Sequence, residues 1–336
     1  ILVRGQDGEL RAFYNICTHR GNKVVREQPA GNASGFSCNF HGWTYDLEGR
    51  LRHLPDAPEF PGLDPCDLGL RALGVGVWEN FVFVHPAGDP PPVSLDDWLG
   101  EVKTALAGGP LSKLQPSAIF RATVNVNWKV FHDAFSEGYH VATIHRRSGA
   151  DAFISKDNPY CHLAAVRLYR HHHIASIVGG NPDHRPTRAE QLVARYGGSK
   201  YGVSSVELFD QLPAGLNPER HPAWAFDIVE VFPGFAAHVG VDYCYTYNFW
   251  PTAADRTEWE MRLYQMPARN LGETIARQYT AVVLRDTVRE DVNTTEATQQ
   301  NLMSGFIQHL PLGLQEVLLR HRYEVVDACV QGAGDD

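Results

Sequence analysis

Two short stretches of this 336-residue chain each place a cysteine close to a histidine, and they constrain the fold more than any other feature. The first, CTHRG, contains Cys17 and His19; the second, CNFHGW, contains Cys38 and His41, and 18 residues separate His19 from Cys38. Thiolates and imidazoles are common protein ligands of zinc and iron. The two stretches therefore predict a pair of loops that hold one metal centre between them.

The order of these four side chains favours an iron–sulfur cluster over zinc. Common zinc fingers pair cysteine with cysteine and histidine with histidine, whereas each loop here supplies one of each. The mixed arrangement is expected of a [2Fe–2S] cluster in which two thiolates bind one iron and two imidazoles the other. A structural Cys2His2 zinc site is the alternative. Gly21 and Gly42 are expected to let the backbone approach the cluster where a β-carbon would clash.

The sequence divides at a proline-rich, acidic segment, HPAGDPPPVSLDDW at 85–98, which is typical of a linker. Before it, short alternating runs such as LRAFYNI, SGFSCNF and GVGVWENFVFVH predict a small all-β domain. Because the sequence begins within a strand-like run, ILVRG, we expect a further segment before it. We place the first domain at residues 1–88 and the second at 89–336.

The second domain is predicted to be α+β. Residues 128–145 and 269–302 have the length and periodicity of helices, whereas 224–250 and 257–266 read as strands of an antiparallel sheet. Helices packed on such a sheet give the natural architecture.

A second group of metal-binding side chains lies in NWKVFHDAFSEGYHVATIH, at 127–145. On a helix, Glu137 and His140 are about 300° apart and share a face. His140 and His145 are about 140° out of phase, so both reach one metal only if the helix ends or widens between them. A lone histidine such as His132 is more often a core or surface residue.

Two histidines beside an acid suggest mononuclear iron bound by a facial triad of two histidines and one carboxylate, which leaves positions open for O2. The carboxylate then has to come from elsewhere in the chain. The stretch RDTVREDVNTTEATQQ offers four, and helical spacing alone does not choose among them: Asp286, Glu290, Asp291 and Glu296.

CTHRG and CNFHGWTYDLEGRL resemble the paired loops of Rieske [2Fe–2S] domains. With the NWK helix and the late acidic motif, nearly the whole chain resembles the catalytic α subunits of Rieske non-heme iron aromatic ring-hydroxylating oxygenases. The resemblance implies an all-β Rieske domain followed by a helix-grip-like catalytic domain. It also implies the ligands: Cys17, His19, Cys38 and His41 for one [2Fe–2S] cluster, and His140, His145 and Asp291 for one Fe(II).

The resemblance implies a function as well. The chain would use O2 and electrons from NAD(P)H, delivered by a ferredoxin or flavin reductase, to hydroxylate or dihydroxylate an apolar, aromatic small molecule. Glu137 would bridge His140 to the cluster ligand His41 of a neighbouring chain, in a homotrimer with or without β subunits. Ala134, Phe135 and Val141 would line the substrate pocket.

The chain departs from the family at two of these positions. Many aromatic dioxygenases have Asp where Glu137 stands and Asn where Ala134 stands. A monooxygenase or oxidative demethylase acting on a non-ring substrate is therefore an alternative. Two other classes are a Rieske electron carrier fused to a ligand-binding module and a zinc-stapled binding protein.

The composition limits which classes of partner and which compartment are expected. With 30 Lys+Arg against 39 Asp+Glu, the net charge is −9 and no basic block occurs, which disfavours nucleic acid. The sequence has no apolar run of about 18 residues and no signal peptide, so we expect a cytoplasmic protein that does not span a membrane. The run His171–His173 is expected to be exposed. Four cysteines outside the two paired loops are expected to be buried: Cys66, Cys161, Cys244 and Cys329.

Overall fold

The structure is a computed structural model that describes residues 1–26, 30–196, 210 and 212–332. The chain divides into two compact units, Ile1–Trp98 and Leu99–Asp336. This division lies after the proline-rich segment, whereas the sequence placed the boundary after residue 88. The reason is close packing within the first unit: a β-carbon on Gly74 would lie 2.8 Å from Cβ of Pro91, and one on Gly76 would lie 2.8 Å from Cβ of Leu95.

The described part of the first unit is built from two antiparallel sheets, as the sequence predicted. β1, β2, β6 and β7 form one sheet in that order, and β3, β4 and β5 form the other. The bounds are β1 (Leu2–Arg4), β2 (Leu10–Phe13), β3 (Phe36–Ser37), β4 (Thr44–Tyr45), β5 (Leu51–His53), β6 (Ala72–Trp78) and β7 (Phe81–His85). The loops after β2 and β3 therefore carry the two cysteine–histidine pairs.

The second unit contains a seven-stranded antiparallel sheet in the order β8-β14-β13-β12-β11-β10-β9. The bounds are β8 (Gln115–Val124), β9 (Leu163–Leu168), β10 (His173–Val178), β11 (Trp224–Val231), β12 (Phe235–Val239), β13 (Tyr243–Ala253) and β14 (Arg256–Gln265). Every residue of β11 and β12 is buried, so both faces of the sheet centre are covered. The predicted α+β class is confirmed.

Seven α-helices lie in the described residues: α1 (Leu95–Ala105), α2 (Trp128–Asp133), α3 (Val141–Ile144), α4 (Ala150–Phe153), α5 (Arg188–Arg195), α6 (Leu271–Leu302) and α7 (Val317–Val330). The helix expected over 269–302 is α6, which Asn270 caps by accepting the N–H of Glu273 at 2.9 Å. The single helix expected over 128–145 is wrong. α2 ends at Asp133, and a turn over 134–140 separates it from the single-turn helix α3.

Among the described residues, no helix combines the length and apolar character needed to cross a lipid bilayer.

Candidate functional site

The two cysteine–histidine loops of the first unit fold in the same way. The N–H of Gly21 donates to the carbonyl of Cys17, and that of Gly42 donates to the carbonyl of Cys38, both at 2.9 Å. Both glycines have a left-handed backbone, with φ of 77° and 75°. Glycine adopts this conformation without steric cost, so the turn itself requires glycine at both positions. This reason differs from the close approach expected from the sequence.

The four side chains come together at the ends of these loops. The His19 and His41 rings lie 4.6 Å apart, and His19 stacks on Trp43 at 4.8 Å. Cys17 and Cys38 are each only 2% exposed. Nδ1 of His19 is buried and has no hydrogen-bond partner among the described residues, which is costly for a polar atom unless a ligand occupies it.

The protonation of this group suits metal binding. Burial acts to raise the pKa of the Cys38 thiol, but hydrogen bonds from Asn22 and from the backbone of Phe40 lower it overall, which favours the thiolate. Burial lowers the pKa of His19, with help from His41, which favours the neutral imidazole. Thiolate and neutral imidazole are the forms that bind metals.

A second candidate centre lies in the second unit, between α3 and α6. His140 and His145 flank α3, and Asp291 projects from α6. One ligand atom from each lies within 4.8 Å of the others, close enough to share one ion. Oδ1 of Asp291 is 3.7 Å from Nε2 of His140 and 3.3 Å from Nε2 of His145. That oxygen is buried and has no hydrogen-bond partner among the described residues.

Each of the two histidines is held from behind by a further carboxylate. Nδ1 of His140 is bonded to Glu137, and Nδ1 of His145 lies 3.0 Å from Oε2 of Glu290, which also accepts from Ser148 at 2.7 Å. Such partners fix the tautomer, so that Nε2 carries the free lone pair directed at a metal. The sequence predicted the position of Glu137 but not this role for Glu290.

The four acids that the sequence left open have different surroundings. Asp286 is on the surface with Arg285, and Glu296 accepts the N–H of Asn125 at 2.9 Å. Of the four, only Asp291 has a carboxylate oxygen close to both histidine Nε2 atoms. A signal was present in the sequence: the buried stripe of α6 runs through Ala281, Leu284 and Val288 at helical spacing and continues to Asp291.

These three residues border a cavity of the second unit, and the empty space of about 690 Å³ there includes the part that is open to solvent. Ala134, Phe135 and Val141 also line it. Most of the remaining wall is aromatic or aliphatic, and the described lining residues include no lysine or arginine. His238 lines the cavity too, and burial lowers its pKa to about 4, so it is neutral near pH 7. The cavity is therefore apolar, with the histidines and acids gathered at one side.

Two other expectations are wrong in part. The histidine run was expected at the surface, but His172 and His173 are each 2% exposed, because β10 is an inner strand of the sheet. Among the cysteines expected to be buried, Cys161 and Cys244 are, whereas Cys66 and Cys329 are exposed.

The family "Ring hydroxylating alpha subunit (catalytic domain)" matches residues 110–332, and "Rieske [2Fe-2S] domain" matches residues 1–68. This chain belongs to the ring-hydroxylating alpha subunit family. A Rieske [2Fe–2S] cluster and a mononuclear iron are the cofactors of these two domains. The unpartnered His19 Nδ1 and Asp291 Oδ1 fit such groups.

Two curated relatives differ in chemistry. The chain is 35% identical over 154 residues to the methanesulfonate monooxygenase hydroxylase subunit alpha of Methylosulfonomonas methylovora, covering 42% of this chain and 36% of the relative. It is 33% identical over 156 residues to the chlorobenzene dioxygenase subunit alpha of Cupriavidus sp. (strain PS12), covering 44% and 34%. The matched stretch thus spans about a third of each curated relative.

A solved structure of a quaternary ammonium Rieske monooxygenase has the same fold. It superposes with a TM-score of 0.74 at 19% identity, covering 97% of this chain and 80% of the other. At this identity the likeness concerns the fold alone.

Proposed function

We propose that this chain is the catalytic subunit of a terminal oxygenase that uses O2 and electrons from NAD(P)H to hydroxylate or dihydroxylate an apolar, aromatic small molecule. The observation that carries the proposal is the apolar cavity that borders His140, His145 and Asp291. Concave, mostly apolar sites with a few polar groups are typical of small-molecule binding, and these walls suit a molecule with little charge.

We assign the cofactor ligands as follows. Cys17, His19, Cys38 and His41 hold the [2Fe–2S] cluster, and His140, His145 and Asp291 hold the mononuclear iron. When bound, the two groups supply stored electrons and a place where O2 is activated. Because His140, His145 and Asp291 all border the cavity, an iron held by them would lie within reach of a molecule bound there.

The residues behind the ligands orient them. Glu137 holds the Nδ1 proton of His140, and Glu290 holds that of His145. With both protons fixed, each Nε2 is available as a lone pair, and neither ring can rotate without losing a hydrogen bond to a carboxylate. We propose that Glu137 also connects His140 to the cluster ligand His41 of a neighbouring chain.

The cavity wall excludes water and positions the substrate by shape. Phe135, Phe153, Phe226 and Tyr247 present aromatic faces to the cavity, and His238 is held neutral by burial. Offset or edge-to-face packing against such rings suits an aromatic substrate. Because the described lining has no lysine or arginine, a carboxylate or sulfonate on the substrate would be desolvated without a counter-charge.

The partners follow from the chemistry. Electrons from NAD(P)H have to enter the cluster one at a time, which a ferredoxin or a flavin reductase provides. The proposed bridge between chains is a head-to-tail contact, which closes into a ring, and we propose a homotrimer with or without small β subunits. We propose that the enzyme works in the cytoplasm.

A second candidate is a monooxygenase or oxidative demethylase with a non-ring substrate. Glu137 and Ala134 stand where many aromatic dioxygenases have Asp and Asn. One relative is named a methanesulfonate monooxygenase. The aromatic wall could also contact a quaternary ammonium group through cation–π interactions.

Product analysis separates the two candidates. Purified enzyme with a reductase and NADH is supplied with neutral aromatic compounds and with quaternary ammonium compounds, and O2 uptake is followed. A cis-diol supports the dioxygenase, whereas a single hydroxyl or released formaldehyde supports the second candidate.

A count of the bound metal distinguishes both oxygenase candidates from an electron carrier and from a zinc-stapled binding protein. We expect about three iron atoms per chain and a red-brown colour. About two would indicate an electron carrier without catalysis, and a colourless zinc protein would refute both proposals.

A further inference from the structure

A buried pair of opposite charges lies beneath the turn that carries Glu137. Glu230 on β11 and Arg322 on α7 are 3% and 2% exposed. The guanidinium donates through Nε to Oε2 of Glu230 at 3.0 Å and through Nη2 to Oε1 at 2.6 Å, a bidentate contact. Removing two charges from water is costly, and a buried pair of this kind is often no more stabilising than apolar side chains of the same volume. Stability alone is therefore a poor account of it.

The same pair contacts the end of α2 and the turn over 134–140 that follows it. Nη1 of Arg322 donates to Oδ1 of Asp133, the last residue of α2, and Tyr323 donates to the other oxygen at 2.8 Å. Nη2 of Arg322 donates to the hydroxyl of Ser136, and that hydroxyl donates to Glu230. Ser136 is completely buried and immediately precedes Glu137.

The turn has other contacts near this position: the hydroxyl of Ser136 lies 3.1 Å from the carbonyl oxygen of His132, and Nε2 of His238 lies 3.0 Å from that of Phe135. Its backbone makes local hydrogen bonds, including that from the N–H of Ser136 to the carbonyl of Asp133 at 3.1 Å, but it does not continue the helix. Glu137 nevertheless has to hold its carboxylate against Nδ1 of His140. A small displacement of such a group can reduce a rate by about a hundredfold, so the position of Ser136 matters to the chemistry.

We propose that the Glu230–Arg322 pair, acting through Asp133 and Ser136, positions Glu137 against His140. These four are positioning residues, since none of them lines the cavity. The inference rests on the proposed function in one respect: Glu137 is taken to support His140 and to connect the two metal centres. Arg322 on α7 and Glu230 on β11 would then set the position of Glu137 without contacting either metal centre.

The test is a double-mutant cycle between Ser136→Ala and Glu137→Gln in the full enzyme. Ser136→Ala removes the contacts of this hydroxyl with Arg322, Glu230 and the carbonyl of His132, and it leaves the bidentate contact in place. Two quantities are measured: the Kd for Fe(II) of protein depleted of mononuclear iron, and the rate at which the reduced cluster is oxidised after mixing with O2 and an aromatic substrate. We expect Ser136→Ala to weaken Fe(II) binding about tenfold and to slow cluster oxidation at least tenfold.

In the Glu137→Gln background, Ser136→Ala should change neither quantity further, because its effect passes through Glu137. Arg322→Lys, which keeps the charge but cannot contact all three partners at once, should act in the same direction. Asp227→Asn is the matched control. Asp227 is a buried carboxylate on the same strand, but it accepts hydrogen bonds from Trp224 and Asn217, which lie outside the turn.

Equal effects of Ser136→Ala in both backgrounds, or no effect in the wild-type background, would overturn the inference. An equal loss in Asp227→Asn would show a general stability effect and overturn it as well. Failure of the proposed function has a different signature. If Glu137→Gln leaves cluster oxidation unchanged, the bridge between the centres is wrong, while the cycle on the Kd for Fe(II) still decides whether Ser136 acts through Glu137.

Discussion

At the candidate iron centre, the two histidines are equivalent in one respect: a carboxylate behind each ring holds Nδ1. The two carboxylates come from different places in the chain. Glu137 lies three residues before His140, so local spacing was enough to predict the pair. Glu290 reaches His145 from α6, 145 residues away, and only the packing of α6 brings them together. Local partners were predictable from the sequence, and distant ones were not.

Glu290→Gln tests the support of His145. The amide keeps the shape of the side chain but loses the charge that holds the Nδ1 proton, so we expect the Kd for Fe(II) to rise about ten- to a hundredfold. The measurement is an Fe(II) titration of protein depleted of mononuclear iron. Asp286→Asn, an exposed acid on the same helix, is the control and should leave the Kd unchanged. An unchanged Kd in Glu290→Gln would show that the contact is incidental.

A second carboxylate, Asp227, is predicted to make stability depend on pH. It is completely buried and accepts from Nε1 of Trp224 at 2.7 Å, and burial raises its pKa to about 6. Because the folded protein holds this proton more tightly than the unfolded chain, with a pKa of about 3.9, the free energy of unfolding falls as pH rises between about 4 and 6 and stays lower above that.

Asp227→Asn removes this titration. Between pH 5 and pH 7, the wild-type free energy of unfolding should fall by about 1 kcal/mol more than that of the variant. Denaturant unfolding at the two pH values gives the difference, in which the constant effect of the substitution cancels. Parallel pH dependences in the two proteins would mean that Asp227 does not titrate in this range.

At the level of elements, the two regions that carry the candidate iron ligands differed in how well the sequence predicted them. The buried side chains of α6 keep helical spacing along its length. Three threonines of this buried stripe bond through their hydroxyls to carbonyls of the preceding turn. The region 128–145 also has helical spacing, but tertiary contacts end α2 at Asp133. Gly138 is part of the reason, since it has a low helix propensity and lies against Cys161.

Gly138→Ala tests how tightly this turn is packed. A β-carbon there would lie 2.5 Å from the carbonyl oxygen and 2.6 Å from Cβ of Cys161, and a backbone atom cannot move aside cheaply. We expect a loss of stability of about 1–3 kcal/mol. We also expect a lower iron content, because Glu137 and His140 lie on either side of Gly138 in the same turn. Thermal unfolding and iron analysis provide the measurements.

Gly313→Ala is the matched control. Its β-carbon would lie 3.2 Å from Oε2 of Glu316, the end of a flexible side chain that can move. Wild-type stability and iron content are expected in this variant. If Gly138→Ala behaved in the same way, the turn would have more room than the contact with Cys161 implies.

For the whole molecule, the sequence predicted the order of domains because each domain carries its own motif. The two cysteine–histidine loops lie close together along the chain, and their spacing alone indicated a shared metal centre. Burial was harder to predict where it depends on strand order. His173 looked like a polar surface residue, yet β10 lies between β9 and β11, and His173 pairs with Glu230 at 3.0 Å. No local pattern contains that information.

The last prediction concerns cooperation between chains. His41→Ala should remove the cluster and keep the mononuclear iron, whereas Asp291→Ala should do the reverse, so each variant alone should be inactive. If the two centres that work together lie in neighbouring chains of a three-membered ring, every trimer that contains both variants pairs an intact iron with an intact cluster at one of its three sites. Co-expression with two different affinity tags isolates the mixed oligomers.

Oxygen uptake and product formation by the isolated mixed trimers should therefore reach about a third of the wild-type rate. Mixing the two purified variants after assembly is the control and should restore nothing unless chains exchange. If the cooperating centres lay within a single chain, every site in the mixed oligomer would lack one of them. Activity would then stay at the level of the single variants, and the role proposed for Glu137 between chains would have to be abandoned.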